Sequence, residues 1–390
     1  MADYKILVRP PRHRRRRWIA VGLIVLVAAA VAGAFVVGRH DRPSPVPAAE
    51  GGATTTTVTS APLSLTSTTP ASGSIDVPSS QVVTINFSSP VSIPSEPPVF
   101  NPPVSGTWKK VSPASFTFAA TAPFIPTTAE TLTIPAGAAG PRSAHGAVLV
   151  APVTVSFTVA QSSTERLQQL LGQLGYLPLS FTPSGPLTTP AQAATAQSGA
   201  FAWRWPTVPT SLTALWTEGS ENVITKGAVM TFESQHGLNA DGLAGRRVWS
   251  ALLADVAGSK ADTVPYTYVH VAKQLPETLT LYNNGAPTLA NIPVNTGAPG
   301  ADTTDGTYPV FEHVTSSRMQ GTNPDGSHYD DPNVPWASYF YGGDALHGFV
   351  RATYGSPQSN GCVEMAISDA AQVWPLTPIG TLVTVDGPSS

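Results

Sequence analysis

The spacing of apolar and polar residues changes period twice along this chain. Between 62 and 160, β-branched and aromatic residues alternate with polar ones in short runs: Gln81–Phe87, Ser115–Phe118, Glu130–Ile134 and Val153–Val159. Pro, Gly and Ser separate the runs. Period-two segments at this spacing predict strands folded into an antiparallel sandwich. From 163 to 257 the period becomes helical. Leu167, Leu170, Leu171 and Leu174 fall at i, i+3, i+4 and i+7, with Ser163 or Thr164 placed to cap and Gly175 to terminate. A second helix is expected over Thr225–His236, ending at Gly237, and a third through Val248, Trp249, Leu252 and Leu253. An insertion, 180–222, interrupts this module with Pro and three tryptophans, Trp203, Trp205 and Trp216. Core packing is the expectation for these rings, ahead of stacking on sugars. From 262 to 387 short strands return, at Thr267–Val271, Thr278–Tyr282, Asn291–Thr296, Tyr308–Phe311 and Thr381–Val385, with one helical stretch at Ser368–Trp374.

Ahead of these regions, Trp18–Gly38 is 21 residues without a charge, enough to cross a ~30 Å hydrocarbon core as a helix. Residues 1–17 form a basic tail with Arg12 and Arg14–Arg17, which places the remainder of the chain outside the cytoplasm. The alternative is a cleavable signal peptide with a site at Ala32-Gly33-Ala34. Residues 39–61, rich in Pro and Thr, read as a tether. The expected architecture is thus mainly β and multidomain: a transmembrane helix (18–38), a β-sandwich (62–160), a small α-helical module (163–257) and a mostly-β domain (262–387).

Composition narrows the function. Charged residues are 12% of 390, about half the usual share, and the 39 prolines are about twice theirs. Through Arg42 there are nine Lys/Arg and two Asp/Glu; beyond it, twelve and twenty-two. The exported part is therefore mildly acidic, which argues against nucleic acid as a partner. One cysteine, Cys362, excludes an intrachain disulfide.

That cysteine follows Ser359-Asn360-Gly361, fifteen residues after His347. A thiol near its ordinary pKa is barely ionised at neutral pH, so a nucleophile needs a base beside it. The intervening glycines and Pro357 allow the chain to leave one strand, loop out and return Cys362 beside His347. Gly361 permits a tight turn whose N–H groups face a developing oxyanion. Other histidines, His270, His313 and His328, are expected to be structural or solvated. The loop Asn323–Asp331 lacks the ligand spacing and closing Glu of an EF-hand, and turn chemistry accounts for its aspartates. No metal and no cofactor is expected.

Several segments resemble known families. Pro70-Ala71-Ser72-Gly73, Val77-Pro78 and Val83–Val91 resemble bacterial Ig-like domains. Leu167–Leu171, Leu174–Leu177, Phe232–Leu238, Asp241–Gly245 and Val248–Leu252 resemble the small helical peptidoglycan-binding module. Val294–Gly297, Thr304–Val310, Trp336–Phe340, Leu346-His347-Gly348, Ser359 with Gly361-Cys362-Val363, and Gly380–Val385 resemble the YkuD-like catalytic domain of the L,D-transpeptidases. The last resemblance implies Cys362 as nucleophile, His347 as base and the Gly348 carbonyl as its orienting group. It further implies an oxyanion hole from the N–H groups of Gly361 and Cys362, and substrate contacts from Ser359, Asn360, Tyr339 and Trp336. The implied partners are peptidoglycan stem peptides, as donor and acceptor, and glycan strands, with carbapenem-type β-lactams as inhibitors. The implied location is the cell membrane and wall. Two positions depart from the family: Asn360 stands where a histidine is usual, and Glu364 where Arg or Asn is usual. Glu364, facing the thiol, would disfavour the thiolate.

Competing assignments are weaker. A sortase needs Thr-Leu-x-Thr-Cys, whereas Thr381–Thr384 is followed by Val385, and no arginine follows Cys362. An NlpC/P60 peptidase places Cys before His. A non-catalytic wall-binding protein with a decayed site, or a related acyltransferase or carboxypeptidase, remains the alternative.

Overall fold

The computed structural model describes residues 61–92 and 96–387, so the apolar stretch 18–38 and residues 39–60 of the tether lie outside the described residues. Among the described residues, no helix is long and apolar enough to cross a membrane.

Eight strands build the first domain: β1 (Leu65–Thr69), β2 (Ser74–Val77), β3 (Val83–Phe87), β4 (Val99–Asn101), β5 (Gly106–Ser112), β6 (Ser115–Ala120), β7 (Ala129–Ile134) and β8 (Val153–Val159). They form two four-stranded sheets, ordered β1-β3-β6-β5 and β2-β8-β7-β4. The alternation that predicts β3 is realised as burial: Val83, Ile85 and Phe87 point into the core with Phe116, Phe118, Leu132, Val155 and Phe157. The sandwich is not wholly antiparallel as expected, because β2 runs parallel to β8.

The second region begins with α1 (Thr164–Leu174). Ser163 Oγ accepts from the Arg166 N–H at 3.1 Å, and Gly175, at φ 86°, ends the helix in the left-handed conformation. The insertion folds into a hairpin of β9 (Leu179–Pro183) and β10 (Gly199–Trp203) and a short helix, α2 (Thr210–Thr213). Trp203 and Trp216 pack on the module's core, while Trp205 lies against Tyr266 and under Arg204. Two helices follow, α3 (Val223–Gln235) and α4 (Arg246–Ala257). Tyr268 and Leu382, from the C-terminal domain, belong to this same core. A Cβ on Gly227 of α3 would stand 2.7 Å from the Gly380 carbonyl, so the absent side chain lets the two domains meet.

The C-terminal domain has two sheets around a core of Val269, Leu281, Val294, Leu346, Val363 and Val383, among others. One sheet, ordered β13-β12-β11-β19-β14, uses β11 (Thr267–Ala272), β12 (Thr278–Asn283), β13 (Ala286–Pro293), β14 (Gly306–Pro309) and β19 (Leu382–Asp386). The other, β15-β16-β17-β18, uses a long hairpin, β15 (Glu312–Thr322) and β16 (His328–Tyr341), then β17 (Asp344–Gly348) and β18 (Val363–Met365). Helix α5 (Ile367–Val373) packs beside β17. The hairpin has no sequence expectation behind it: β15 is polar on both faces and half exposed throughout, so it carries no period-two signal.

Candidate active site

The site sits where β17 and β18 run side by side. Their parallel register sets Leu346 opposite Val363, His347 opposite Glu364 and Gly348 opposite Met365. Leu346 and Val363 enter the core, so His347 and Glu364 occupy the other face. Cys362 stands immediately ahead of β18, in the turn that leads into it.

The loop between them is held from below by Asn295, which is fully buried. Its side-chain N–H donates to the Thr353 carbonyl at 3.2 Å, and its Oδ1 accepts from the N–H of Gly355 at 3.0 Å and from Gln358 Nε2 at 3.2 Å. Thr296 is anchored in turn on buried Glu277, donating through N–H (2.7 Å) and hydroxyl (2.6 Å). The Thr296 carbonyl accepts from the N–H groups of Gln358 and Ser359. Ser359 is buried, and its hydroxyl donates to the Cys362 carbonyl at 2.5 Å, so it shapes the cysteine turn. Gly361, at φ 106°, bends the backbone immediately before the thiol, and a Cβ there would stand 2.8 Å from Asp344 Oδ1. No backbone acceptor is found for the N–H of Gly361 or Cys362 among the described residues.

His347 is 3% exposed, and its Nδ1 lies 3.1 Å from the Gly348 carbonyl. With Nδ1 carrying the proton and donating to that carbonyl, Nε2 presents its lone pair. Burial lowers the imidazole pKa, favouring the neutral ring. Cys362 is half-buried, with Sγ 3.6 Å from the Gly343 carbonyl. No direct thiol–imidazole hydrogen bond is found among the described residues. Burial first, then the Asp344 and Glu364 carboxylates, push the thiol up to about 12, against the pull of the Ala345 N–H. Burial thus disfavours the charged form of both groups.

The remaining expected site residues fall in different places. Burial first, and Cys362 beside it, push the Tyr339 hydroxyl up, and that hydroxyl shares a 2.7 Å hydrogen bond with Ser317. Asn360 is exposed and donates to Asn323 Oδ1, at the tip of the β15–β16 hairpin, at 2.5 Å. Trp336 packs on the domain core against Trp374, ring centroids 5.3 Å apart. His313 stacks on Trp374 at 4.1 Å and bonds Ser338, His270 pairs with Asp386, and exposed His328 meets Thr322. Two aspartates of the hairpin serve the turn and an ion pair: Asp325 accepts from Ser327, and Asp330 pairs with Arg318.

Asp344 and Arg351 have no place in the sequence reading, and Asn295 enters it only within the Val294–Gly297 segment, with no role assigned. Arg351 grips Glu364 with two hydrogen bonds, Nε to Oε2 at 2.7 Å and Nη2 to Oε1 at 2.8 Å. The available signal was Glu364 itself, since a carboxylate beside a nucleophile calls for a cation. A cleft of about 690 Å³ lies elsewhere, lined by Leu167, Lys226, Leu243, Trp249 and Tyr308 among others, and includes neither Cys362 nor His347.

Residues 266–385 match the profile of the L,D-transpeptidase catalytic domain (YkuD), and residues 58–159 match a bacterial Ig-like domain (Big_5). The protein is thus a mostly-β multidomain chain carrying both of these domains. No curated protein matches it. Among solved structures, an L,D-transpeptidase from Mycobacterium smegmatis is 12% identical, with 84% of this chain and 100% of that one covered and a TM-score of 0.29. L,D-transpeptidase 3 from Mycobacterium tuberculosis, in complex with a faropenem-derived adduct, is 12% identical over 83% and 97% of the two chains, TM-score 0.29. The catalytic domain of an E. faecium L,D-transpeptidase is 23% identical over 32% and 100%, TM-score 0.28.

Proposed function

We propose that this chain is a peptidoglycan L,D-transpeptidase that forms 3→3 cross-links through a cysteine thioester. The observation that supports it is the β17–β18 pairing, which sets His347 in register with the strand that Cys362 leads into, inside the segment that matches the catalytic domain. The Cys362 sulfur attacks the carbonyl joining the third residue of a tetrapeptide stem to its terminal D-alanine. As the C–S bond forms, the thiol proton passes to His347 Nε2, and the Nδ1 contact with Gly348 stabilises the imidazolium that results. The N–H groups of Gly361 and Cys362 receive the oxyanion. Collapse breaks the C–N bond, and the departing D-alanine amine takes the proton from His347. An amine from a second stem then attacks the thioester, the C–S bond breaks, and the amine's proton returns through His347 to sulfur.

The helical module and its cleft would hold wall polymer near the site, and the Ig-like domain would act as a spacer from a membrane anchor formed by 18–38. This topology follows from the basic residues preceding the apolar stretch. A β-lactam presents a strained amide carbonyl to the same thiol, so a carbapenem is expected to acylate Cys362.

Purified full-length protein supplied with disaccharide-tetrapeptide should release D-alanine and yield 3→3 dimers, and Cys362→Ala should do neither. Turnover retained by Cys362→Ala would end the proposal. One observation favours a second reading: the thiol is pushed up to about 12 and makes no bond to His347. A non-catalytic wall-binding protein would show no turnover and no carbapenem adduct while still sedimenting with isolated walls.

A further inference from the structure

The carboxylate at 364 is not a stray charge. Glu364 is 4% exposed and lies in register opposite His347, and both its oxygens are held by Arg351. Arg351 is itself fixed in several ways. Its backbone N–H donates to Tyr354 Oη at 3.2 Å, and that hydroxyl donates to the Phe349 carbonyl at 2.6 Å. Its guanidinium lies over the Phe349 ring at 4.7 Å, and Phe349 stands edge-on to His347 with centroids 6.1 Å apart. The imidazole is thus flanked by the pair on two sides, through the strand register and through the phenyl ring.

We propose that Arg351 and Glu364 act as one unit behind His347, with Glu364 anchoring the guanidinium and Arg351 cancelling the carboxylate's field at the imidazole. Arg351 is then a positioning residue for the base. Besides burial, the largest influence, four groups act on His347. The Gly348 carbonyl, Glu364 from β18 and Asp331 from β16 favour the imidazolium, whereas Arg351, from the loop after β17, opposes it. Burial also favours the neutral ring. Without Arg351, two carboxylates act on the imidazole with no cation against them. The ring would then hold a proton it must lack to accept one from sulfur. A bidentate grip suits the task, because it fixes the cation on the carboxylate in one geometry.

The inference rests on the reading of His347 as the base, but its test does not need turnover. In the full-length protein, histidine ring NMR, with the His347 signal assigned by its loss in His347→Gln, gives the protonation midpoint. Arg351→Gln should raise the midpoint by about one pH unit, the effect of an unbalanced neighbouring charge. Glu364→Gln should lower it, the double variant should return close to wild type, and Arg351→Lys should stay near it. A midpoint unchanged in both Arg351→Gln and Glu364→Gln overturns the proposal. If Arg351→Gln does not fold, the comparison of Glu364→Gln with wild type decides in the same way. Shifts as expected in a protein that never turns over stems would leave the pair's role standing and remove the transpeptidase reading. Turnover with unmoved midpoints would do the reverse.

Discussion

Two buried glutamates, one in the sandwich and one at the site, are handled in opposite ways. Glu130 of β7 is 2% exposed, and its Oε2 has no hydrogen-bond partner. Desolvation raises its pKa to about 7, against a small opposing pull from Arg246. Glu364 is equally buried yet is clasped by a dedicated arginine. The sandwich holds its carboxylate with a raised proton affinity, whereas the β17–β18 face commits a second residue to its own. A buried ion pair is poor evidence for stability, since apolar residues of similar volume do as well. The pair at the site therefore points to function, and the lone carboxylate in the sandwich does not.

Substitutions separate the two regions, with the largest effect at the base. His347→Gln should reduce D-alanine release about 10²–10⁴-fold, the usual contribution of a general base, with an unchanged melting temperature. Next, Arg351→Met should destabilise the C-terminal domain by about 3–5 kcal/mol, because it leaves a buried charge uncompensated. Denaturant titration followed by Trp fluorescence checks it. If the loss is no larger than that of Arg246→Met, the contrast between the two glutamates fails.

Glu130→Gln should act in the other direction. The folded pKa near 7 lies above the value of 4.5 for a free glutamate, so the folded state binds the extra proton. Stability is therefore fully present below about pH 4.5 and is lost as pH rises towards 7, by about 3 kcal/mol in total. Gln at 130 should remove this slope and stabilise the protein at pH 8 by a similar amount, with activity per folded molecule unchanged. Equal stability of the two proteins at pH 8 would contradict it. The smallest effect is expected at Asn360→Ala, which removes one exposed hydrogen bond to the hairpin tip. Its stability should change by no more than about 1.5 kcal/mol.

How far the sequence disclosed these regions follows from the kind of signal each carries. The start and end of α1 were legible because capping is local: Ser163, the leucine spacing and Gly175 each act within a turn. Strands such as β3 and β7 were legible because one face is buried and the other half-buried or exposed. The β15–β16 hairpin was not, since neither of its faces is consistently apolar. Nor was the parallel pairing of β2 with β8, which joins residues some eighty positions apart. At the site, residue type and order singled out His347 and Cys362. Arg351 escaped because its role is set by the β17–β18 register, a non-local fact. Asn295 was legible as part of the Val294–Gly297 segment, but its loop-holding role was not, because a buried amide that organises a loop looks, in sequence, like any strand-end asparagine.

The central claim is that Cys362 carries the acyl group. Full-length protein mixed with tetrapeptide stem, quenched in acid within the first turnovers and mapped by mass spectrometry, tests this most directly. The peptide containing Cys362 should gain the mass of the stem's tripeptide acyl group and lose it on treatment with hydroxylamine. Release of D-alanine with Cys362 unmodified at every time point would contradict the account.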